Sequence, residues 1–201
     1  MRTYTDKTMT GNPDKHQRRS IRLKDYDYSQ AGAYFITICT YNKVYLFGEV
    51  VNGETVLNEY SKVVQEEWYR SAEIRYEVEL DAFVVMPNHI HGIATIVGAQ
   101  GLAPLQHGHP PLQRRLRSLS TFITGFKSAV TRRINDLRGT PYTPIWQRNY
   151  YEHVIRNEDD LDEIREYIVN NPLKWDLDRE NPNSVGATCR TPEGEVPPPL
   201  R

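Results

Sequence analysis

The stretch Met86-Pro-Asn-His-Ile-His-Gly-Ile93 places two histidines two residues apart in an apolar run, directly after a turn-forming Pro-Asn. Side chains two apart on a β-strand point to the same face, so His89 and His91 would present their imidazoles together while Ile90 and Gly92 face the other way. Such a pair can chelate a metal ion, or it can be two hydrogen-bonded structural residues on an apolar face. As ligands the two are incomplete: a closed zinc site takes four donors, and a catalytic ion needs positions open to substrate, so a third donor must come from elsewhere. The segment Glu166-Tyr-Ile-Val-Asn-Asn-Pro172 offers one. Tyr167 and Asn171 are four apart and share one face of a helix, about 100° round from Ile168. An amide oxygen of Asn171 suits a hard metal, and Tyr167 is an oxygen nucleophile. Equally, Tyr167 could pack by its ring and Asn171 could simply precede a helix-ending proline.

These residues need a scaffold. "YFITICT", from Tyr34 to Thr40, is β-branched and aromatic without breakers and predicts a strand buried on both faces. "VYLFGEVVNGETVLN" has Asn52-Gly53 at its centre, the dipeptide of a tight hairpin. "NEYSKVVQEEWYRSA" places Val64 and Trp68 one turn apart, with Lys62, Glu66, Glu67 and Arg70 on other faces, which predicts an amphipathic helix. "YEVELDAFVVM" and "HIHGIATIV", separated by the Pro-Asn turn, predict two strands in a hairpin. Leu119, Phe122, Phe126, Val130, Ile134 and Leu137 recur at helical spacing. "PIWQRNYYEHVIR" predicts a last strand, and "NEDDLDEIREYIVNNP" a helix with acids at its positive end, a stripe of Leu161, Ile164 and Ile168, and a stop at Pro172. Setting the short hairpin aside, the order is that of a split βαβ sheet, ferredoxin-like or RRM-like: α+β, an antiparallel sheet with helices on one face, plus a C-terminal helix that would carry Tyr167. Residues 1–17 read as a flexible arm, 18–175 as one domain with a mobile Gly/Pro-rich loop at 98–113, and 176–201 as a disordered tail.

Bulk properties exclude more than they assert. The 201 residues suit one domain, and a net charge of −1 announces neither nucleic acid nor membrane. The two cysteines, Cys39 and Cys189, resemble neither a disulfide framework nor a metal site, which fits a reducing cytoplasm. The N-terminal residues lack the apolar core of a signal peptide, and no run approaches the ~20 apolar residues of a membrane span. A soluble protein with no membrane partner is expected.

Taken together, "MPNHIHGI", "LSTFITGFKSAVTRRIN", "IWQRNYYEHVIRN" and "EYIVNNPLKW" resemble the single-tyrosine HUH transposases, and most closely the REP-associated tyrosine transposases, over about residues 18–175. The resemblance implies a nuclease domain in which His89 and His91, with Asn171 as third ligand, hold Mg²⁺ or Mn²⁺, and Tyr167 is the nucleophile. It implies cleavage of single-stranded DNA beside hairpins through a 5′-phosphotyrosine, with rejoining by the reverse reaction. The parent insertion-sequence enzymes resemble obligate dimers with Gln at the third ligand position; with Asn here, monomer and homodimer both stay open. A nucleoid-associated bacterial protein follows.

Further residues bear on DNA. Arg114, Arg115, Arg117, Lys127, Arg132, Arg133 and Arg138 stand against the single acid Asp136 around the long helix, which is either a phosphate-binding surface or a solvated face. Arg18, Arg19 and Arg22 form a second basic group. Tyr34, Tyr41, Trp146, Tyr150 and Tyr151 could stack unpaired bases or belong to the core. His153 lies in a family-like segment and could support the site; His107 and His109 fall in the Gly/Pro-rich loop. Three activities remain in competition: a strand transferase, a nucleic-acid-binding regulator that never cleaves, and a metal phosphodiesterase that uses water.

Overall fold

The computed structural model describes residues 30–75, 77–97 and 118–184. Its main sheet contains β1 (Gly32–Cys39), β4 (Val78–Met86), β5 (His89–Ile96) and β6 (Tyr151–Ile155) in the order β4-β5-β1-β6, with every pairing antiparallel. The hairpin β2 (Gly48–Val51) and β3 (Glu54–Leu57) forms a separate two-stranded sheet. Both Asn52 and Gly53 adopt positive φ, as the tight turn between its strands demands. Helix α1 (Glu59–Glu73) joins the hairpin to β4, α2 (Leu119–Leu137) precedes β6, and α3 (Glu158–Asn170) follows it. This is the expected split βαβ arrangement.

Alternation along the strands divides the interior into two layers. Tyr34, Ile36 and Ile38 of β1, with Ile90, Ala94 and Ile96 of β5, point to one face, where Val64 and Trp68 of α1 and Phe122, Phe126, Val130 and Ile134 of α2 cover them. Phe35 and Ile93 point to the opposite face and pack against Ile164 and Ile168 of α3. That second face thus carries a helix of its own. The apolar stripe of α3 closes part of it, and burying those side chains is the main force docking the helix. Local chemistry sets the helix starts: Asn58 accepts hydrogen bonds from the Tyr60 and Ser61 amides, and Asn157 from the Asp160 amide. Glu158, Asp159 and Asp160 add negative charge at the positive end of α3.

Two boundaries differ from the sequence expectation. The last strand is confined to Tyr151–Ile155. Before it, Ile145 to Gln147 cross the end of β1 as a strap, with the Tyr41 amide on the Ile145 carbonyl, the Gln147 amide on the Cys39 carbonyl, and an isolated bridge from Thr40 to Trp146. The aromatic composition there serves core packing of Trp146 against Phe47 and Phe126 rather than a longer ladder. The chain also stays ordered past Trp175: a 3-10 turn runs over Pro172–Leu177, and the packed segment continues to Ser184. Asp178 and Asn181 are buried, so residues 176–184 belong to the folded unit rather than to a tail; 185–201 lie outside the described residues, as do 1–29 and 98–117.

Gly92, on the face of the histidine strand that meets the α1 layer, is fixed by contact. A Cβ there would sit 2.6 Å from Cζ2 of Trp68 and 3.1 Å from Cδ2 of Phe83, two rings stacked at 4.7 Å. Gly92→Ala is expected to destabilise by about 1–3 kcal/mol through overpacking, read as a lower denaturant midpoint at unchanged slope.

Candidate functional site

β5 pairs Cys39 with His89 and Thr37 with His91, so both imidazoles rise from the sheet on the α3 face. Both are almost wholly buried, and their Nε2 atoms are 2.9 Å apart. The Nδ1 atom of His89 lies 2.8 Å from Oδ1 of Asn88. Nδ2 of Asn88 donates to the carbonyls of Glu180 and Lys43, which leaves Oδ1 as an acceptor. His89 must then carry its proton on Nδ1, with the Nε2 lone pair directed into the site. The Nδ1 atom of His91 is 2.8 Å from Oγ1 of Thr37, a hydroxyl that can donate or accept. His91 can thus give its Nε2 hydrogen to His89 or offer a second lone pair. Two Nε2 atoms at this separation match neighbouring donors on one ion, about 3 Å apart for metal–nitrogen bonds near 2.1 Å at right angles.

Helix α3 brings Tyr167 to this pair. Its hydroxyl is 3.4 Å from Nε2 of His91, and its ring stands edge-on to Phe35 at 5.9 Å between centroids. Burial first, then the Asp178 and Glu180 carboxylates, push the phenol well above its ordinary range, which keeps it neutral. Asn171 caps α3 and is buried; its Nδ2 donates to Oδ2 of Asp178 at 2.9 Å, and its Oδ1 has no hydrogen-bond partner among the described residues. An orphaned, buried amide oxygen, linked to the imidazole pair through Asp178, is what a cation site provides, so these residues fit a divalent ion.

Asp178, absent from the sequence-based set, completes the cluster. Donor atoms of His89, His91 and Asp178 all lie within 4.8 Å of one another. The segment that carries it is anchored by Tyr45 on Asn181, by Asn181 on the Trp175 carbonyl, and by Lys43 and the Cys39 thiol on the Glu180 carboxylate. A signal for it existed in the run Asp176-Leu-Asp-Arg-Glu180 close behind Asn171, but its Pro/Asn-rich surroundings read as an unstructured end.

Other predicted residues fall elsewhere. Lys127 donates to the carbonyls of Gln147 and Arg148 and so pins the strap. Arg133 bonds Glu66 and Glu67, joining α2 to α1, and Arg138 bonds Asn135 and the Thr143 carbonyl. These three cations have intramolecular partners because α2 runs beside α1 and the strap. Arg132 instead lines a groove of about 600 Å³ between α2 and the strap, with Arg148 and the fully exposed Tyr142. Arg18, Arg19, Arg22, Arg114, Arg115 and Arg117, with His107 and His109, lie outside the described residues. His153 is not at the imidazole pair: its Nε2 is 3.2 Å from the Asp160 carboxylate, which ties β6 to the first turn of α3. Of the aromatic residues, Tyr34 and Trp146 are core, Tyr150 and Tyr151 are partly buried, and Tyr41 is half exposed.

Known proteins share this architecture. The solved structure of a REP-associated tyrosine transposase bound to a REP hairpin matches with a TM-score of 0.52 and 21% identity, covering 77% of this chain and 74% of that one. A Haemophilus influenzae protein provisionally named a REP-associated tyrosine transposase is 27% identical over 149 residues, 74% of each chain. The chain shares the fold of the solved transposase and is similar in sequence to the provisionally named one. More narrowly, it belongs to one family with a second Haemophilus influenzae protein, described as uncharacterised, which is 41% identical over 170 residues, 82% of this chain and 93% of that one. No family model matches. No helix among the described residues is long and apolar enough to cross a membrane.

Burial, then the Lys43 charge, pushes His89 down to about 3, and burial and His89 lower His91 in turn. A group that binds protons more weakly folded than unfolded contributes stability above its unfolded value, here 6.5, and loses it as pH falls toward the folded value. With chelator present, unfolding free energy should therefore drop between about pH 6.5 and pH 5, by up to about 1.4 kcal/mol per pH unit for each imidazole. Urea titrations across that range check it, with His89→Asn expected to flatten the profile.

Proposed function

We propose that this chain is a metal-dependent endonuclease and strand transferase that acts on single-stranded DNA next to hairpins, with Tyr167 as nucleophile. The observation that carries this reading is the approach of the Tyr167 hydroxyl to within 3.4 Å of His91, beside the His89–His91 pair and the unpartnered oxygen of Asn171. Kinship to REP-associated tyrosine transposases supports the choice of DNA hairpins as substrate, since the solved relative is bound to one.

His89, His91 and Asn171, with Asp178 beside them, would hold Mg²⁺ or Mn²⁺, whose charge would offset that of a phosphodiester and ease loss of the phenolic proton. The protein's own part is positioning. Phe35 and the docked stripe of α3 fix the Tyr167 ring, so its oxygen is presented at one place beside the imidazoles. Attack by that oxygen forms a Tyr–O–P bond and breaks the P–O3′ bond. The 5′ phosphate stays on the protein, and the phenolic proton ends on the released 3′-hydroxyl. A second 3′-hydroxyl can reverse the step and join strands without an external energy source. The raised proton affinity of Tyr167 keeps the resting phenol unreactive until charge compensation is present.

Phosphate contacts away from the reacting centre are assigned to Arg132, and to Arg18, Arg19, Arg22, Arg114, Arg115 and Arg117. Lys127 and Arg133 contribute through the strap and the helix pair rather than by direct contact. The chain serves as a monomer if Tyr167 acts on its own histidine pair, the arrangement in which the two already touch.

Incubation with hairpin-bearing single-stranded DNA and Mg²⁺ or Mn²⁺ should yield a covalent protein–DNA adduct on denaturing gels, lost in Tyr167→Phe and with chelator. Binding that ignores both changes and gives no adduct would select a non-cleaving regulator. Cut DNA with no adduct under trapping conditions would select a phosphodiesterase that uses water.

A further inference from the structure

The carboxylate of Asp178 is buried and has no lysine or arginine ion-pair partner among the described residues. Its side chain is 4% exposed, and among the described residues the imidazole Nε2 of His89 lies 4.0 Å from its Oδ2. Lys43 is paired with Glu180 at 3.1 Å. A carboxylate held in the interior is favourable as an anion only where positive charge is supplied beside it. Its hydrogen bonds leave a direction free for that charge: Oδ1 accepts from the Glu180 amide at 2.6 Å, and Oδ2 accepts from Asn171 Nδ2 at 2.9 Å while facing the imidazoles.

The bond to Asn171 has a second effect. An amide can present either its nitrogen or its oxygen to a site, and a carboxylate accepts only from the nitrogen. Asp178 thereby selects the Asn171 rotamer and leaves Oδ1 buried and unpartnered. The same segment acts on His89 as well. The Glu180 carbonyl accepts from Asn88 Nδ2 at 2.6 Å, and this turns Asn88 Oδ1 toward His89 Nδ1. Residues 178–180 thus govern the orientation of donors from two separate elements, β5 and the end of α3.

We propose that Asp178 is a fourth donor of the divalent-cation site and the positioning residue for Asn171, so that the segment following α3 is an integral part of that site. This rests on the metal site of the proposed function and adds to it a carboxylate ligand that two imidazoles and an amide lack. One anionic donor among three neutral ones makes the site harder and more retentive, favouring Mn²⁺ or Mg²⁺ held before any DNA arrives.

The test is Mn²⁺ binding by the full chain without DNA, followed by the electron paramagnetic resonance signal of free Mn²⁺ and by the melting-temperature difference between Mn²⁺ and chelator within each variant. Each variant is then its own reference for folding. Asp178→Asn should bind Mn²⁺ at least about tenfold more weakly than the parent and show a smaller melting shift. Asp178→Glu, which keeps the charge but displaces it, should show a loss of the same kind and serves where Asp178→Asn does not fold. His91→Ala should abolish binding. Parent-like affinity in both Asp178 variants, with binding lost in His91→Ala, would overturn the role of Asp178 and leave the histidine site standing. A parent chain that binds no Mn²⁺, or a His91→Ala chain that binds like the parent, would overturn the metal site itself, and this inference with it.

Discussion

Two imidazole nitrogens facing each other at 2.9 Å inside the protein are the constraint around which the rest is arranged. His89 is committed by Asn88 to direct a lone pair inward, and in a poorly solvated interior a lone pair must meet a proton or a cation. The Thr37 hydroxyl can serve either tautomer of His91, so the pair can be satisfied by its own hydrogen or opened as two donors. Burial keeps both rings neutral, the state in which imidazole binds metal, and at the same time makes the pair a source of acid sensitivity.

The sheet supplies rigidity for this arrangement and the helices supply reach. His89 and His91 alternate with Ile90 and Gly92, whose side of β5 is sealed by Trp68, Phe122 and Phe126. Close packing behind the histidines leaves little room for the strand to shift. On the opposite face a smaller cluster, centred on Phe35 and Ile93 with Ile164 and Ile168, holds α3, and that cluster sets where Tyr167 lies. A tyrosine carried on a helix docked by apolar contacts is held against the sheet without being built into it. Arg165 reinforces the docking from the rim through Asp81 on β4.

Surface charge around the long helix illustrates how a linear pattern divides once the chain folds. Arg133 joins α1 to α2 through Glu66 and Glu67, whereas Arg132, its neighbour in sequence, turns into the groove beside Arg148 and Tyr142. Successive helical residues point about 100° apart, so adjacent cations seldom share a task. Sign imbalance along the sequence shows only that cations are clustered; the facing elements decide which of them are paired within the fold.

Period-two and period-3.6 patterns act over a few residues, and what they govern was legible in the chain: the strands and helices, the shared face of His89 and His91, and the shared face of Tyr167 and Asn171. The Asn-Gly hairpin was legible for the same local reason. The strap before β6 was not, because Trp146 and its neighbours have strand composition but spend it on the core at the end of β1. Nor was the second layer formed by α3, since an apolar stripe does not say which surface it will cover. The sequence by itself determined which side chains could act and in what local pairs. Tertiary structure decided that Asn88 would orient His89, that Arg133 would be committed to α1, and that Asp178, 89 residues beyond His89, would meet it in a common site. Those contacts depend on how separately stable elements dock, and docking is driven by burial that carries no record of sequence spacing.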